Sequence, residues 1–316
     1  MRELINKLAT SSSIVLGLMG TLALSIPPAT ALNVGVTPPR FEVKINNNKT
    51  RTQTIRVINQ DSRPVEVQVS VRSFILNENN RVETLPPSEQ SLEQWIVYTP
   101  ARFTIPAGGS QTVRFAIRPR VQPQPGEHRA MLLIEEVPQA NSKSKGVRII
   151  GRVGVAVYGY VGDVKRNGVL NSVSVDTKPK ALRAIFDVSS QGNSSVRLNG
   201  QYSIWPAAQY PGAEATKPIG NLGKPNSKLP ENLLAAGNLP DTPVLPDNRR
   251  QIVLPINKTL PPGNYVLDIN GDLSGVAINQ GIPFTVPTNN NVKPNNRTQP
   301  NSQRVKDLLK NHLQSR

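Results

Sequence analysis

The chain of 316 residues contains no cysteine. That absence excludes disulfides, thiol catalysis and cysteine metal sites, so any folded domain must rest on its hydrophobic core alone. Histidine is nearly as scarce: His128 and His312 are the only two, far apart in sequence. The chain has no HExxH, no GxSxG, no phosphate-binding loop and no GxGxxG. Acidic residues are few, and Glu135 and Glu136 are neighbours that a strand would point to opposite faces, a poor acid–base pair. These absences argue against an enzyme and leave no expected cofactor or metal. Aromatic residues make up 4% of the chain, too few for the exposed platforms of a sugar-binding module. Trp95 and Trp205 read as core or hinge residues. Beyond residue 31 no segment approaches the ~20 apolar residues of a spanning helix.

What is present begins with an export signal. Arg2 and Lys7 form a short basic head, and Ile14 to Ile26 is an apolar run broken only by Gly, Ser and Thr. Ala29-Thr30-Ala31 then supplies small residues at a cleavage site. Residues 1–31 are therefore expected to be a cleaved signal peptide, leaving a chain from Leu32 whose length suits two domains. The net charge of +16 prompts the thought of nucleic acid. Lys and Arg are, however, interleaved with Asp and Glu, and no dense basic tract with aromatics occurs. A basic, solvated surface is the better reading, with no nucleic-acid partner.

The remainder is patterned as strands. Phe41, Val43 and Ile45 alternate with polar residues, as do Val65, Val67, Val69 and Val71, and again Val113, Phe115 and Ile117. A period of two places one side of each strand on a core and the other in water. Turn signals separate the runs, among them Asn46 to Asn48, Pro86-Pro87 and Pro106-Ala107-Gly108-Gly109. Short alternating strands so spaced predict an all-β sandwich. One helical turn is expected within Ser88 to Tyr98. The longest strand candidate is Val147 to Val161, with Val147, Ile149, Val153, Val155 and Val157 at odd positions. These patterns divide the chain into a first domain at 32–161, a linker around 162–167 and a second β domain at 168–287. The second domain carries an insertion at about 206–243 that is expected to be disordered because its apolar residues lack a period. Residues 288–316 read as a disordered basic tail. Val305, Leu308, Leu309 and Leu313 fall at helical spacing there, which leaves open a weak membrane-surface contact or a solvated tail.

Read in order, several motifs resemble the PapD-like periplasmic pilus-assembly chaperones. Val36-Thr37-Pro38-Pro39-Arg40-Phe41 is similar to that family's first strand with its arginine. Ile55-Arg56-Val57-Ile58-Asn59 followed by Pro64, Gln94-Trp95-Ile96-Val97-Tyr98-Thr99-Pro100, Phe103-Thr104-Ile105-Pro106-Ala107-Gly108 and Glu127-His128-Arg129-Ala130 continue the likeness. Leu260-Pro261-Pro262-Gly263-Asn264-Tyr265 fits the second domain more loosely. The resemblance implies two immunoglobulin-like β-sandwiches in tandem, a periplasmic location, and a chaperone that lends a strand to secreted subunits with an incomplete β-sandwich. An outer-membrane usher is a further implied partner. Carried onto this chain, the lending strand would use Val147, Ile149 and Val153. The family grips the subunit's terminal carboxylate with two basic residues. The first matches Arg40. The second, a lysine in the family, falls on Gly154, with Arg152 as the nearest substitute. The alternative is a structural or adhesive surface β-sandwich protein that needs no client.

Overall fold

The computed structural model describes residues 33–46, 52–77, 81–138, 150–178, 181–225 and 228–288. In chain order the first domain holds β1 (Val34–Thr37), β2 (Arg40–Ile45), β3 (Thr52–Asn59), β4 (Val65–Arg72), β5 (Phe74–Leu76) and β6 (Val82–Thr84). A single helical turn, α1 (Leu92–Trp95), follows. The domain closes with β7 (Ile96–Thr99), β8 (Arg102–Ile105), β9 (Ser110–Ile117), β10 (Gly126–Glu136) and β11 (Arg152–Val161). The second domain contains β12 (Gly168–Lys178), β13 (Ala181–Ser190), β14 (Leu198–Pro206), β15 (Ala235–Asn238), β16 (Arg249–Ile256), β17 (Gly263–Leu273) and β18 (Val276–Val286).

The first domain stacks a sheet of order β1-β3-β9-β7 on one of order β2-β11-β10-β4-β8. The alternation read in the sequence decides which side chains meet between them. Ile55, Val57, Val113 and Phe115 come from one sheet; Val67, Val69, Leu132, Ile134, Val155 and Val157 come from the other, all buried. α1 sits at the domain's edge and drops Trp95 into this core, fully buried, its indole N–H donating to the Glu89 carbonyl at 2.9 Å. A buried indole is tolerated because that donor is satisfied.

The second domain stacks β12-β13-β16 on β15-β14-β17-β18. Its core includes Phe186, Val188, Leu198, Ile204, Ile252, Leu254, Leu267 and Ile269. Here the structure differs from the expectation of a disordered insertion. The segment after β14 is docked across the sheet. The Tyr210 hydroxyl donates to Oδ1 of the fully buried Asp268 at 2.7 Å, and Asn270 donates to the Thr216 hydroxyl at 2.9 Å. Gln201 and Ile219 exchange two hydrogen bonds, and β15 pairs with β14 from Gln201↔Asn238 to Ile204↔Ala235. Leu233 and Leu239 are buried. These anchors are single residues at irregular spacing, which a search for hydrophobic period cannot register.

Candidate functional site

The edge strand of the first domain changes sheets. β1 pairs with β3, the chain turns at Pro38-Pro39 with the Thr37–Pro38 bond cis, and β2 then runs parallel to β11. That parallel pairing begins at Arg40↔Ala156 and ends at Ile45↔Val161. On its other side β11 pairs antiparallel with β10 along its length, from Glu135↔Arg152 to Gly126↔Val161. The first four residues of β11, Arg152 to Val155, therefore have a partner on one side only among the described residues. They form a sheet edge with its backbone groups facing outward, a template for another strand. Of the residues expected to lend a strand, Val147 and Ile149 lie outside the described residues. Val153 is half-buried and shares its face with the buried Val155 and Val157. The opposite face carries Arg152 and Gly154. A Cβ on Gly154 would stand 2.5 Å from the Met131 sulfur, so Met131 covers the position where the family's lysine is expected.

Arg40 opens β2 at the cleft between the domains. Its Nη1 donates to Asp241 Oδ2 at 2.6 Å, and its Nε lies 3.3 Å from Glu42 Oε1. Asp241 belongs to the second domain, in the loop between β15 and β16. Burial alone would lower the Arg40 pKa, but the hydrogen bond and charge of Asp241 outweigh it and raise it. Arg152 is not brought to Arg40. It stands four residues before Ala156, about 13 Å along the strand at ~3.3 Å per residue, and it pairs across the sheet with Glu135.

The second cation beside Arg40 is instead Arg197, which the sequence reading did not single out. Arg197 Nη1 donates to the Asp241 main-chain oxygen at 2.8 Å and reaches its Oδ1 at 3.4 Å. Its guanidinium lies 5.0 Å over the ring of Tyr158, a buried β11 residue on the Arg40 side of the sheet. A cation over an aromatic face is held there by the ring quadrupole. Nothing in the local run Ser195-Val196-Arg197 marks this role, because the partners lie in other strands. Next to it Arg250 is buried, donating Nη1 to the Pro243 carbonyl at 2.9 Å, while its Nε and Nη2 have no partner among the described residues. Burial pushes the Arg250 pKa down.

A second contact joins the domains beside this cleft. Glu127 of β10 has a fully buried side chain. Its Oε2 accepts from the Ser195 backbone N–H at 2.8 Å and the Ser194 hydroxyl at 3.0 Å; its Oε1 accepts from the Ser195 hydroxyl at 2.5 Å and from Arg129 at 2.9 Å. The backbone follows suit, with the Glu127 N–H donating to the Asn193 carbonyl at 2.9 Å. Asn193 also holds the linker, accepting from the Lys165 N–H at 2.7 Å and donating to the Asp163 carbonyl at 3.0 Å. Gly192 is required here, since a Cβ would fall 1.9 Å from the Lys165 carbonyl oxygen.

Among the described residues there is no group of three or more His, Asp or Glu side chains placed to hold a metal ion, and no helix long and apolar enough to cross a membrane. His128 lies against Trp95 with its two ring nitrogens each 2.9 Å from a backbone carbonyl, those of Gln90 and Gln124.

Comparison with known proteins agrees with this first domain. Residues 35–157 match the family profile described as pili and flagellar-assembly chaperone, PapD N-terminal domain. No curated protein matches the chain. Among solved structures, the chain is similar to the E. coli chaperone DraB at 14% identity, covering 81% of this chain and 96% of that one, with a TM-score of 0.37. It is also similar to a chain of the CsuC–CsuE chaperone–tip adhesion subunit pre-assembly complex of Acinetobacter baumannii, at 14% identity, covering 79% and 97%, with a TM-score of 0.38. The profile runs from β1 to within β11, so the first domain matches the PapD N-terminal domain of pili and flagellar-assembly chaperones.

Proposed function

We propose that this protein is a periplasmic chaperone that binds pilus- or fimbria-type subunits by donor-strand complementation, lending the start of β11 and the segment before it. The observation that carries this reading is the open edge at Arg152 to Val155, paired with β10 on one side and vacated by β2 on the other. A subunit with an incomplete sandwich exposes unpaired backbone groups and an apolar groove, and would aggregate. A strand laid along that gap satisfies the backbone, while Val147, Ile149 and Val153 fill the groove with alternate side chains. Arg40, at the cleft end of the sheet, fixes the register by taking the subunit's terminal carboxylate. Assembly at an outer-membrane usher follows capture.

The test is capture of partners from the periplasm by the tagged protein, wild type beside Arg40→Ala and Val153→Asp. A small envelope subunit held by the wild type and lost from both variants supports the reading. Wild type recovered alone, or without any protective effect on a co-expressed subunit, overturns it in favour of a surface β-sandwich protein.

A further inference from the structure

His128 faces an acceptor on each side. Its Nδ1 is 2.9 Å from the Gln90 carbonyl oxygen, and its Nε2 is 2.9 Å from the Gln124 carbonyl oxygen. A carbonyl can only accept, so both contacts are hydrogen bonds only when both ring nitrogens carry a proton. Neutral imidazole has one N–H, and its bare nitrogen would turn a lone pair toward a carbonyl oxygen. We propose that His128 is a proton-operated clasp: protonated, it ties the segment before α1 to the loop between β9 and β10, and it releases one of the two ties when it loses the proton. The clasp needs no client and is independent of the chaperone reading.

Three observations support it. The Trp95 ring lies 4.8 Å from the imidazole, centroid to centroid. An indole within about 6 Å attracts a cation more than a neutral ring. Trp95 is held by its own bond to the Glu89 carbonyl, so its place does not depend on His128. Second, Gln90 aligns the two pieces that the ring joins. Its side chain donates to the Gln122 carbonyl at 3.1 Å and accepts from the Gln124 N–H at 3.0 Å. The two carbonyls are therefore presented to the ring by a fixed frame. Third, the loop leads into the domain boundary. A Cβ on Gly162 of the linker would stand 3.6 Å from Pro125, and the Glu127 N–H donates to the Asn193 carbonyl at 2.9 Å. Loosening this loop therefore reaches the contact between the domains.

No carboxylate is bonded to the ring among the described residues. Ahead of α1 and on it, the charged groups are the exposed Glu89 and Glu93, which accepts from the Ser73 N–H. On the loop they are Arg118 and Arg120, both exposed. On β10, Glu127 and Arg129 point to the other face and pair with each other. On β11 the partner of His128 is Gly159, between Tyr158 and Tyr160. Charges of both signs surround the ring and oppose one another, which leaves the two carbonyls to decide. The second tie is thus present in mild acid. It is lost as pH rises through the interval of roughly 5 to 8 in which histidine changes charge.

The experiment is NMR on the full chain carrying His312→Gln, which leaves His128 as the one histidine. At pH ~5.5 both ring N–H protons should appear as slowly exchanging signals, and at pH ~8 only one should remain. Protection of the Gln124 amide, corrected for intrinsic exchange, should fall about tenfold over the same interval, the loss of one charge-assisted contact. Amides of β13 in the second domain should not change. Adding His128→Gln, which cannot gain a proton, should abolish the pH dependence at Gln124, and a melting curve confirms that this variant folds. A single slowly exchanging ring N–H in acid, or an unchanged pH dependence in His128→Gln, overturns the clasp. Should His128→Gln not fold, the histidine-bearing chain still decides: equal Gln124 protection in acid and base contradicts it.

Discussion

Two carboxylates cross the same domain boundary and do different things. Glu127 is fully buried and accepts four hydrogen bonds, two of them from neutral hydroxyls and one from a backbone amide. Asp241 is half in water and meets arginines only. A buried carboxylate saturated by fixed donors cannot be exchanged without loss, so Glu127 is a latch that sets the angle of the two sandwiches. A solvent-facing carboxylate on two cations adds little to stability, so Asp241 is a marginal pair rather than a latch. The difference shows that an ion pair across an interface is not by itself structural: burial and the kind of donor decide.

The largest effect is expected at Glu127. Glu127→Ala leaves Arg129, both serine hydroxyls and the Ser195 N–H unpaired, and should cost about 3–5 kcal/mol, the usual penalty for halving a buried pair. Chemical denaturation would show the loss, and small-angle scattering should show the domains swinging apart. Next is Gly192→Ala on the same latch. Its Cβ would collide with a backbone oxygen rather than a flexible side chain, so about 1–3 kcal/mol is expected, read from the denaturation midpoint. Asp241→Asn should change stability by less than ~1 kcal/mol, as for other exposed pairs, and a larger loss would make Asp241 a second latch.

The smallest effect is in acid. The Arg249 hydrogen bond, with help from Asn171, holds the Asp187 carboxyl below its usual value against the pull of desolvation. A depressed carboxylate stabilises the fold above its unfolded pKa of ~3.9 and loses that contribution as pH falls through the folded value. Asp187→Asn should therefore slightly flatten the stability–pH curve below pH ~4, and added salt should shrink the difference.

Most of the fold was legible because sandwich cores are written with a period of two. Phe41, Val43 and Ile45, the valines of β4, and Val113 with Phe115 all face the core as their alternation required. Trp95 and the single turn at Leu92–Trp95 also stand where the sequence placed them. The insertion was not legible, because its order comes from Tyr210 reaching a buried Asp268 that is 58 residues away. Of the cleft, Arg40 is the residue the sequence singled out, from its run with Pro38 and Pro39. Arg197, Asp241 and Arg250 were not singled out, since their contacts form only when the second domain folds against the first. Arg152, read as a second basic residue, stands about 13 Å along the strand from Ala156 and pairs with Glu135.

We propose that the start of β11, open on one side, is a strand waiting for a partner. Amide hydrogen exchange on the full chain, alone and in complex with a co-expressed subunit lacking its last strand, tests it directly. The amides within Arg152 to Val155 that face away from β10 should exchange quickly in the free protein and become protected in the complex, while those facing β10 stay protected in both. Fast exchange at that edge with the subunit bound would contradict the claim and place the client elsewhere.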